Sequence, residues 1–420
     1  SGIPVFLSFF RGRRPFVFLE LLVRLSFILI AATLLACSTH HARKADEVSL
    51  ESKYMQEAWG QSAGSEAAAE KWWTTFSDQG LDKVVEELFK GNLDLAKGWS
   101  RLAQVRAIAA QQGALQSPTV DAQVGAGASR VWRPGTSVEV VDGAPVFGVG
   151  PSQASTAESY SLSVAASYEV DLFDRLGASA RAAALDVRAT RLDVDAMAIM
   201  LVANTTELWF ALIEARATEK KLEQQLATNE TMLELVRFRF EQGVAAATDL
   251  LQQEQLILAT RRQMPGIRAR IETLENQLAL LLGQPPVRGR ELAGSRIDLP
   301  APPPLPSAGI PSEVLVRRPD IRAAQVRVAA ADERVGAAIA GKFPSLRLTA
   351  STGFGATSFS DLVDQWVWSL AGSALAPIFD AGRRSAEVDR SRAAIEGALA
   401  DFRLSALRSF TEVEDALVRE

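Results

Sequence analysis

The sequence predicts a mainly α-helical fold with a smaller β part suited to a membrane. Long stretches keep a helical pattern without a break, four short segments alternate apolar and polar residues, and several motifs recur along the chain at a fixed offset. Together they predict a duplicated arrangement, in which each half reads helix, β-hairpin, long helix.

Composition excludes several classes of protein. The chain has 420 residues, 48% of them hydrophobic, and a net charge of -5, which argues against nucleic acid as a partner. One Cys allows no intrachain disulfide and no Cys-rich metal site, and two His offer little for catalysis. The sequence shows no Walker-type glycine loop and no convergent His, Cys or acidic constellation. We therefore expect no catalytic residues, no metal and no cofactor.

The amino-terminal segment has the pattern of a lipoprotein signal peptide. Arginines precede an apolar run over residues 25–36, which suits a signal-peptide core and is too short to span a bilayer. The run ends in Leu-Leu-Ala before Cys37, which resembles the bacterial lipobox. We expect residues 1–36 to be removed and Cys37 to carry a diacylglycerol; the alternative is a free Cys in an ordinary secretion signal. Ser38 stands where the inner-membrane retention signal has Asp, which favours the outer membrane.

Residues 37–70 are predicted to form an acylated tether ahead of the folded part. They are polar and rich in Ala and Ser. His40 and His41 are adjacent, but no further nitrogen or thiolate ligand is nearby. We therefore interpret the pair as ordinary polar residues and not as a metal site.

Four segments alternate as amphipathic strands do. Residues 119–129 and 160–172 form the first pair, and the Gly/Pro-rich stretch around Arg133 predicts a long hairpin loop between them. Residues 346–354 and 366–376 form the second pair. Each segment spans roughly the 9 to 11 residues that a tilted strand needs to cross a bilayer. On alternation alone, a half-buried soluble sheet explains the pattern better.

Four strands are too few to close a membrane barrel. Known barrels start near eight strands, and an open edge is not tolerated in lipid. Several chains are therefore expected to pool their strands, so that two chains would supply eight and three would supply twelve.

The remaining chain is predicted to be helical. Residues 175–243 lack proline and have one glycine before Gly243, which predicts a helix about 100 Å long. Beyond a turn at Gly243, apolar residues recur every seven positions, and we expect Pro265 to bend this return arm. The seam residues are Leu222, Leu226, Leu233, Val236 and Phe240 on the outgoing arm, with Asn229 in one slot, and Leu250, Ile257, Met264, Ile271 and Leu278 on the return arm, with Ile267, Leu274 and Leu281 in the second seam position.

The two halves of the chain share motifs in the same order. Asp94 and Pro118 stand in the same relation as Asp320 and Pro344, each pair offset by 226. The predicted divisions are a first repeat over residues 71–299 with helix, hairpin and long helical hairpin, a Pro-rich linker over residues 300–311, and a second repeat over residues 312–420. The second repeat stops before a matching return helix.

The termini suggest a chain cut at both ends. It begins with Ser1, and Glu420 falls inside a helical pattern with no cap behind it. We expect that the 420-residue form alone does not assemble stably, because its tunnel wall would lack a helix.

Six short motifs carry a resemblance to a known family. They cover the chain in the family's order, from Trp72 to the carboxyl end. The motifs are Trp72-Trp73 with Phe76, Asp78 and Leu81; Gly91-Asn92 with Asp94; Leu280-Leu281-Leu282-Gly283-Gln284-Pro285; Arg317-Arg318-Pro319-Asp320-Ile321-Arg322; Phe343-Pro344-Ser345; and Pro377-Ile378-Phe379-Asp380 with Gly382-Arg383. The chain thus resembles the outer-membrane factor (TolC-like) family, in its lipoprotein branch that works with resistance-nodulation-division efflux pumps.

The resemblance implies a homotrimer in the cell outer membrane, lipid-anchored, with a helical tunnel in the periplasm. Duplicated long helices would form a coiled-coil barrel, and four strands per chain would build a trimeric 12-stranded β-barrel. The implied function is a passive conduit that carries small molecules such as drugs. Its partners would be a periplasmic adaptor (membrane fusion) protein, an inner-membrane resistance-nodulation-division pump and outer-membrane lipid.

The family's adaptors dock at helical hairpin tips, and one such tip pattern is present here. The resemblance assigns docking to Arg239, Gly243, Val244 and Asp249. Gly243 would permit the turn, while Arg239 and Asp249 would offer polar contacts. In the alternative interpretation, Asp249 caps the return helix and Arg239 is a solvated charge.

Two rival functions are kept open. A lipid-anchored periplasmic adaptor also combines a lipobox with a helical hairpin, although the duplicated order favours a channel. A conduit for type I protein secretion is the nearer rival, since the lipobox and the Leu-Leu-Gly-Gln-Pro motif favour small-molecule efflux only by resemblance.

Overall fold

Long helices and a single four-stranded sheet make up the described chain in a computed structural model. The structure describes residues 40–50, 71–141, 144–287, 294, 296–303 and 311–419. The elements in chain order are α1 (Gln79–Gly91), α2 (Leu93–Ala114), β1 (Thr119–Val141), β2 (Ala144–Val170), α3 (Arg175–Glu241), α4 (Ala247–Leu281), α5 (Pro311–Arg317), α6 (Pro319–Ala340), β3 (Ser345–Ala356), β4 (Trp366–Leu375) and α7 (Arg383–Arg419).

Helix α3 is the central helix of the described chain. Its 67 residues extend for about 100 Å, as predicted, and it packs against α1, α2, α4 and α6. The largest apolar cluster joins α1, α3 and α4 through buried side chains such as Leu88, Leu212 and Leu278. By length and composition alone, α3 is also the one described helix that could cross a membrane.

The predicted helical hairpin forms, with α4 returning along α3. Ile257, Met264, Ile271 and Leu278 are buried in the seam, and Asn229 lies 3.5 Å from Thr260 across it. Helix α4 runs through Pro265 without interruption, and the bend expected there stays a prediction. Ion pairs flank the seam and set the antiparallel register: Glu214 with Arg270, Glu219 and Glu223 with Arg268, Glu230 with Arg261, and Glu254 with Arg237.

The two halves repeat in three dimensions. Helices α2 and α6 each have 22 residues and begin 226 positions apart, and β1 and β3 begin with the same offset. Each helix is followed by an antiparallel hairpin and then a long helix. The domain boundaries proposed from the sequence stay predictions.

The first hairpin is much longer than the alternation indicated. Pairing continues past residues 129 and 160 until Val141 lies opposite Ala144, so the long loop expected around Arg133 is wrong. The Gly/Pro-rich stretch forms an irregularity in register between Arg133 and Gly135 instead. Proline lacks an N–H to donate, and an edge strand such as β1 tolerates it at a bulge. The lengths expected for β3 and β4 agree with the structure.

One buried carboxylate ties the start of α1 to α3. Asp78 is fully buried and accepts hydrogen bonds from the N–H groups of Gly80 and Leu81, which caps α1. Its other oxygen, Oδ2, accepts from Trp209 Nε1 at 3.1 Å, and Arg296 Nη1 pairs with the capping oxygen, Oδ1, at 2.9 Å. The motif that carries Asp78 is therefore a structural joint.

Two glycines allow the corner between α1 and α2 to touch the end of α4. A Cβ on Gly91 would lie 2.3 Å from the carbonyl oxygen of Leu282, and a Cβ on Gly283 would lie 2.1 Å from the carbonyl oxygen of Gly91. Asn92 caps α2 through Leu95 N–H and donates to the carbonyl oxygen of Leu281 at 2.7 Å. Both contacts are made by main-chain atoms, so no flexible side chain can move aside to make room for a Cβ.

Substitution of either glycine by Ala is expected to destabilise the protein. Gly91→Ala and Gly283→Ala should each lower the free energy of unfolding by about 1–3 kcal/mol, because the added Cβ would press on a main chain. Gly113→Ala is the matched control, since a Cβ there meets nothing within 4 Å. Chemical denaturation measures the effect; equal stability of all three variants would contradict the close crossing.

Candidate functional site: the strand wall, its junction and the hairpin tip

The four strands form one antiparallel sheet in the order β1-β2-β3-β4. Strands β2 and β3 are paired on both sides, whereas β1 and β4 are paired on one side within the described chain. The sheet therefore has two edges whose N–H and C=O groups need partners. In lipid, such edges require closure.

Register brings the apolar positions of all four strands to one face. Val124 pairs with Leu162, Leu162 with Phe354, and Phe354 with Trp366. Val124 is 79% exposed and Leu370 is 73% exposed, so this face has no cover within the described chain. Further rungs of the same face are Val120, Ala166, Ala350 and Leu370, and Ala122, Val164, Thr352 and Trp368. A continuous exposed apolar face is what lipid requires.

The opposite face is polar. The Oγ atoms of Ser351 and Ser369 are 2.8 Å apart across β3 and β4. Near the helical end of the sheet, Glu169 lies opposite Arg347 and pairs with Arg175 at 2.5 Å. Asp171 accepts from the N–H groups of Arg175 and Gly177 and so caps α3. Such a face can line a water-filled passage.

A short amino-terminal strap (residues 40–50) lies along α6, with His40 near the junction of sheet and helices and Val48 near the start of α6. His40 Nε2 lies 3.0 Å from Asp332 Oδ1, and Arg43 N–H donates to Asp332 Oδ2. Ala45 and Val48 of the strap are buried. Sequence patterns did not reveal this contact, because Asp332 sits in an Ala-rich helix far along the chain.

The junction is also held by charge and by ring stacking. Phe173 and Phe343 stack with centroids 4.7 Å apart. Arg181 donates to Asp174 and Glu333. The hydrogen bond to Asp174 has the larger effect and that to Glu333 the smaller, and both raise the pKa of the guanidinium above the ordinary value. Arg181 thus remains charged and joins the start of α3 to α6.

The hairpin tip turns at Gly243. Its φ is 72°, a left-handed conformation that favours glycine. Gly243 N–H donates to the carbonyl oxygen of Phe240, and Val244 N–H donates to that of Arg239. These hydrogen bonds close the carboxyl end of α3.

The structure brings the four tip residues together but gives them different environments. Asp249 Oδ2 accepts from Ala246 N–H at 3.1 Å, which caps α4 as the alternative interpretation expected. Arg239 is exposed and has no ion pair within the described residues. Val244 is 77% exposed, and Phe238 and Leu251 nearby are also exposed. The tip presents apolar surface beside a free cation, and its docking role stays a prediction.

The described part of the chain has no candidate metal site. No group of three or more His, Cys, Asp or Glu there could hold a metal ion. Cys37 lies outside the described residues.

An amphipathic sheet with two open edges, carried on long helices of which α3 extends about 100 Å, defines a subunit of a membrane channel with a helical conduit. The chain belongs to the outer membrane efflux protein family, whose model matches residues 84–284 and 310–419. It is therefore an efflux channel protein of the cell outer membrane and not an enzyme. The periplasmic adaptor alternative is wrong.

Relatives and solved structures agree with this membership. The pyoverdine export outer membrane protein OpmQ of Pseudomonas aeruginosa is 31% identical over 391 residues, covering 93% of this chain and 80% of that protein. The toluene efflux pump outer membrane protein TtgF of Pseudomonas putida is 29% identical over 348 residues, covering 82% and 69%.

Two solved structures share the fold over most of their length. The outer-membrane channel OprN superposes with a TM-score of 0.76 at 27% identity, covering 91% of this chain and 83% of that one. The open-state MtrE outer membrane channel of Neisseria gonorrhoeae superposes with a TM-score of 0.72 at 26% identity, covering 90% and 81%.

Substitution at the turn is expected to loosen the hairpin tip. Gly243→Ala should destabilise the tip by about 1–3 kcal/mol, because Ala disfavours positive φ. Hydrogen exchange of the backbone amides at the end of α3 and the start of α4 would speed up. Gly266→Ala in α4 is the control, since its Cβ meets nothing within 4 Å. Unchanged exchange in Gly243→Ala would show that Ala adopts this turn without strain.

Proposed function

We propose that three copies of this chain form one passive conduit that carries small molecules, such as drugs, from the periplasm to the exterior. The observation that carries the proposal is the four-stranded sheet with an exposed apolar face and two unpaired edges in the described chain. Three such sheets, joined edge to edge, would make a closed barrel of twelve strands, in which every backbone group has a partner. The helices would continue the conduit into the periplasm.

A periplasmic adaptor and an inner-membrane resistance-nodulation-division pump are the proposed partners. The chain has no site of its own to drive transport among the described residues, so energy would come from the pump. The names of related proteins support this assignment: TtgF is named as a component of a toluene efflux pump, and OpmQ as an export protein for pyoverdine. Both cargoes are small molecules, which supports efflux over protein secretion.

The assembly is tested by the native mass and membrane fraction of the complete protein. Extracted from envelopes in mild detergent, it should have the mass of three chains and sit in the outer-membrane fraction. A monomer, or a dimer with eight strands, would overturn the trimer. Loss of small-molecule resistance on deletion of the gene, restored by the wild-type chain, tests the transport step.

We propose the hairpin tip as a docking surface for the adaptor. Val244 and Phe238 offer exposed apolar surface, and Arg239 offers a cation that no described carboxylate neutralises. Asp249 acts indirectly, because its carboxylate holds the start of α4.

Reversing the tip charge is expected to weaken adaptor capture. Arg239→Glu should reduce capture of the cognate adaptor by about tenfold, because a charge at an interface would then repel its complement. Arg262→Glu is the matched control, since Arg262 is also exposed and unpaired in the described chain but lies on the shaft of α4. The native mass should not change in either variant. Equal capture by both variants would remove Arg239 from the docking surface.

Acylation of Cys37 is proposed as an anchor beside the barrel. His40 of the strap is bonded to Asp332 and lines a pocket with Phe173 and Phe343, so the amino end of the strap is held at the sheet–helix junction. Cys37 precedes His40 by three residues, a reach of about 10 Å at most. An acyl chain on Cys37 would therefore enter the membrane next to the strands.

Cys37→Ser and Asp332→Ala test the anchor and its strap separately. In the wild type, the peptide that begins at Cys37 should carry the mass of a diacylglycerol, which Cys37→Ser should lack; an unmodified thiol would overturn the anchor. Asp332→Ala should speed tryptic cleavage after Arg43 by about tenfold, because two hydrogen bonds to a carboxylate are lost. His41→Ala, which leaves the bonds to Asp332 intact, should be cleaved at the wild-type rate.

A further inference from the structure

The first hairpin projects beyond the rest of the sheet. Strand β3 ends at Ala356, opposite Tyr160, whereas β1 and β2 continue as a pair to Val141 and Ala144. About 15 more residues of β2 extend past that point, for roughly 50 Å. The helices leave from the other end of the sheet. The projecting hairpin therefore lies on the side of the membrane away from the periplasm.

Alternation carries two particular side chains onto the outward face of this hairpin. Val124 and Ala126 belong to the apolar face, and pairing runs without a break to Arg133. Arg130 and Trp132 hold even positions of β1, so they continue that face. Arg130 lies four residues beyond Ala126, about 13 Å along the strand.

Aromatic residues mark where the apolar band ends. Tyr160 and Phe359 pack edge to face at 5.8 Å, and Trp366 Nε1 donates to Thr352 Oγ1 at 2.7 Å. Aromatic residues concentrate at both interfaces of a membrane barrel. With a strand tilt of roughly 40°, Arg130 stands about 10 Å above this rim, which is the depth of the lipid headgroups.

The guanidinium of Arg130 is free to bind an anion. It lies 5.6 Å from the centroid of the Trp132 ring, and it has no ion pair within the described part of the chain. Glu158, on the same face, accepts instead from the Tyr160 hydroxyl at 3.3 Å. Stacking on an aromatic face orients a guanidinium and leaves its N–H groups for a phosphate.

We propose that Arg130 and Trp132 bind the phosphates of the glycolipid in the outer leaflet. Arginine meets phosphate oxygens through two parallel N–H groups, while the indole packs at the boundary between sugar and acyl chain. The proposal rests on the barrel assembly described above, because that assembly sets which face meets lipid. The contact would hold the projecting hairpin upright at the membrane surface.

Arg130→Ala tests the site, with Arg133→Ala as the matched control. Arg133 is exposed on the same strand and occupies the opposite, polar face. The complete protein is titrated with purified lipopolysaccharide. Loss of one arginine near anionic headgroups, worth about 1 kcal/mol, should raise the Kd of Arg130→Ala about fivefold. Arg133→Ala should keep the wild-type Kd.

Two further probes identify the ligand chemistry. With dephosphorylated lipopolysaccharide, wild type and Arg130→Ala should bind alike. With phosphatidylglycerol vesicles, the two proteins should also bind alike, because this headgroup lacks the phosphorylated sugar that Arg130 and Trp132 would contact together. Three outcomes would overturn the proposal. They are an equal loss of affinity for lipopolysaccharide in both alanine variants, a wild-type Kd for lipopolysaccharide in Arg130→Ala, and the same fivefold rise in Kd with phosphatidylglycerol. Native mass of each variant reports separately on the trimer.

Discussion

Backbone hydrogen bonding in lipid is the constraint on which the rest of this structure depends. Within the described chain, β1 and β4 each have one partner, so half of their polar backbone groups face outward unpaired. Burial of such groups in hydrocarbon costs several kcal/mol each. An open sheet of this kind is stable in a membrane only when both edges gain partner strands, which the proposed trimer would supply, and the long helices would then follow the geometry of the closed sheet.

The helices have a different requirement, because α3 extends for about 100 Å and its neighbours must stay aligned along it. Ion pairs along α3 and α4, and a seam of Ile, Met and Leu, hold the two arms in register. At the base of the arms, two glycines let main chains touch, and Asp78 ties α1 to Trp209. These joints involve backbone or buried charge, so they cannot slide as a purely apolar contact could.

The junction between sheet and helices combines several kinds of polar contact. Capping by Asp171, the ion pair of Glu169 with Arg175 and the strap on Asp332 all lie within it. The first two fix how α3 leaves β2, and the third holds the strap on α6, which leads into β3; in the proposed assembly they would set how the barrel continues into the tunnel. The tip at Gly243, by contrast, is exposed and held by few hydrogen bonds, which is compatible with the docking role proposed for it.

Motifs offset by 226 residues were enough to predict the repeat. Periodicity alone determined the helical hairpin and the four amphipathic strands, because a period of two or seven fixes which residues share a face. It did not determine where strands end: pairing continues on both sides of the unpaired Pro134, which depends on a partner strand and cannot be read from the local pattern. It also missed the contact of His40 with Asp332, whose members are 292 residues apart. Such joints arise only when packing brings distant segments together, and tertiary structure alone decided them.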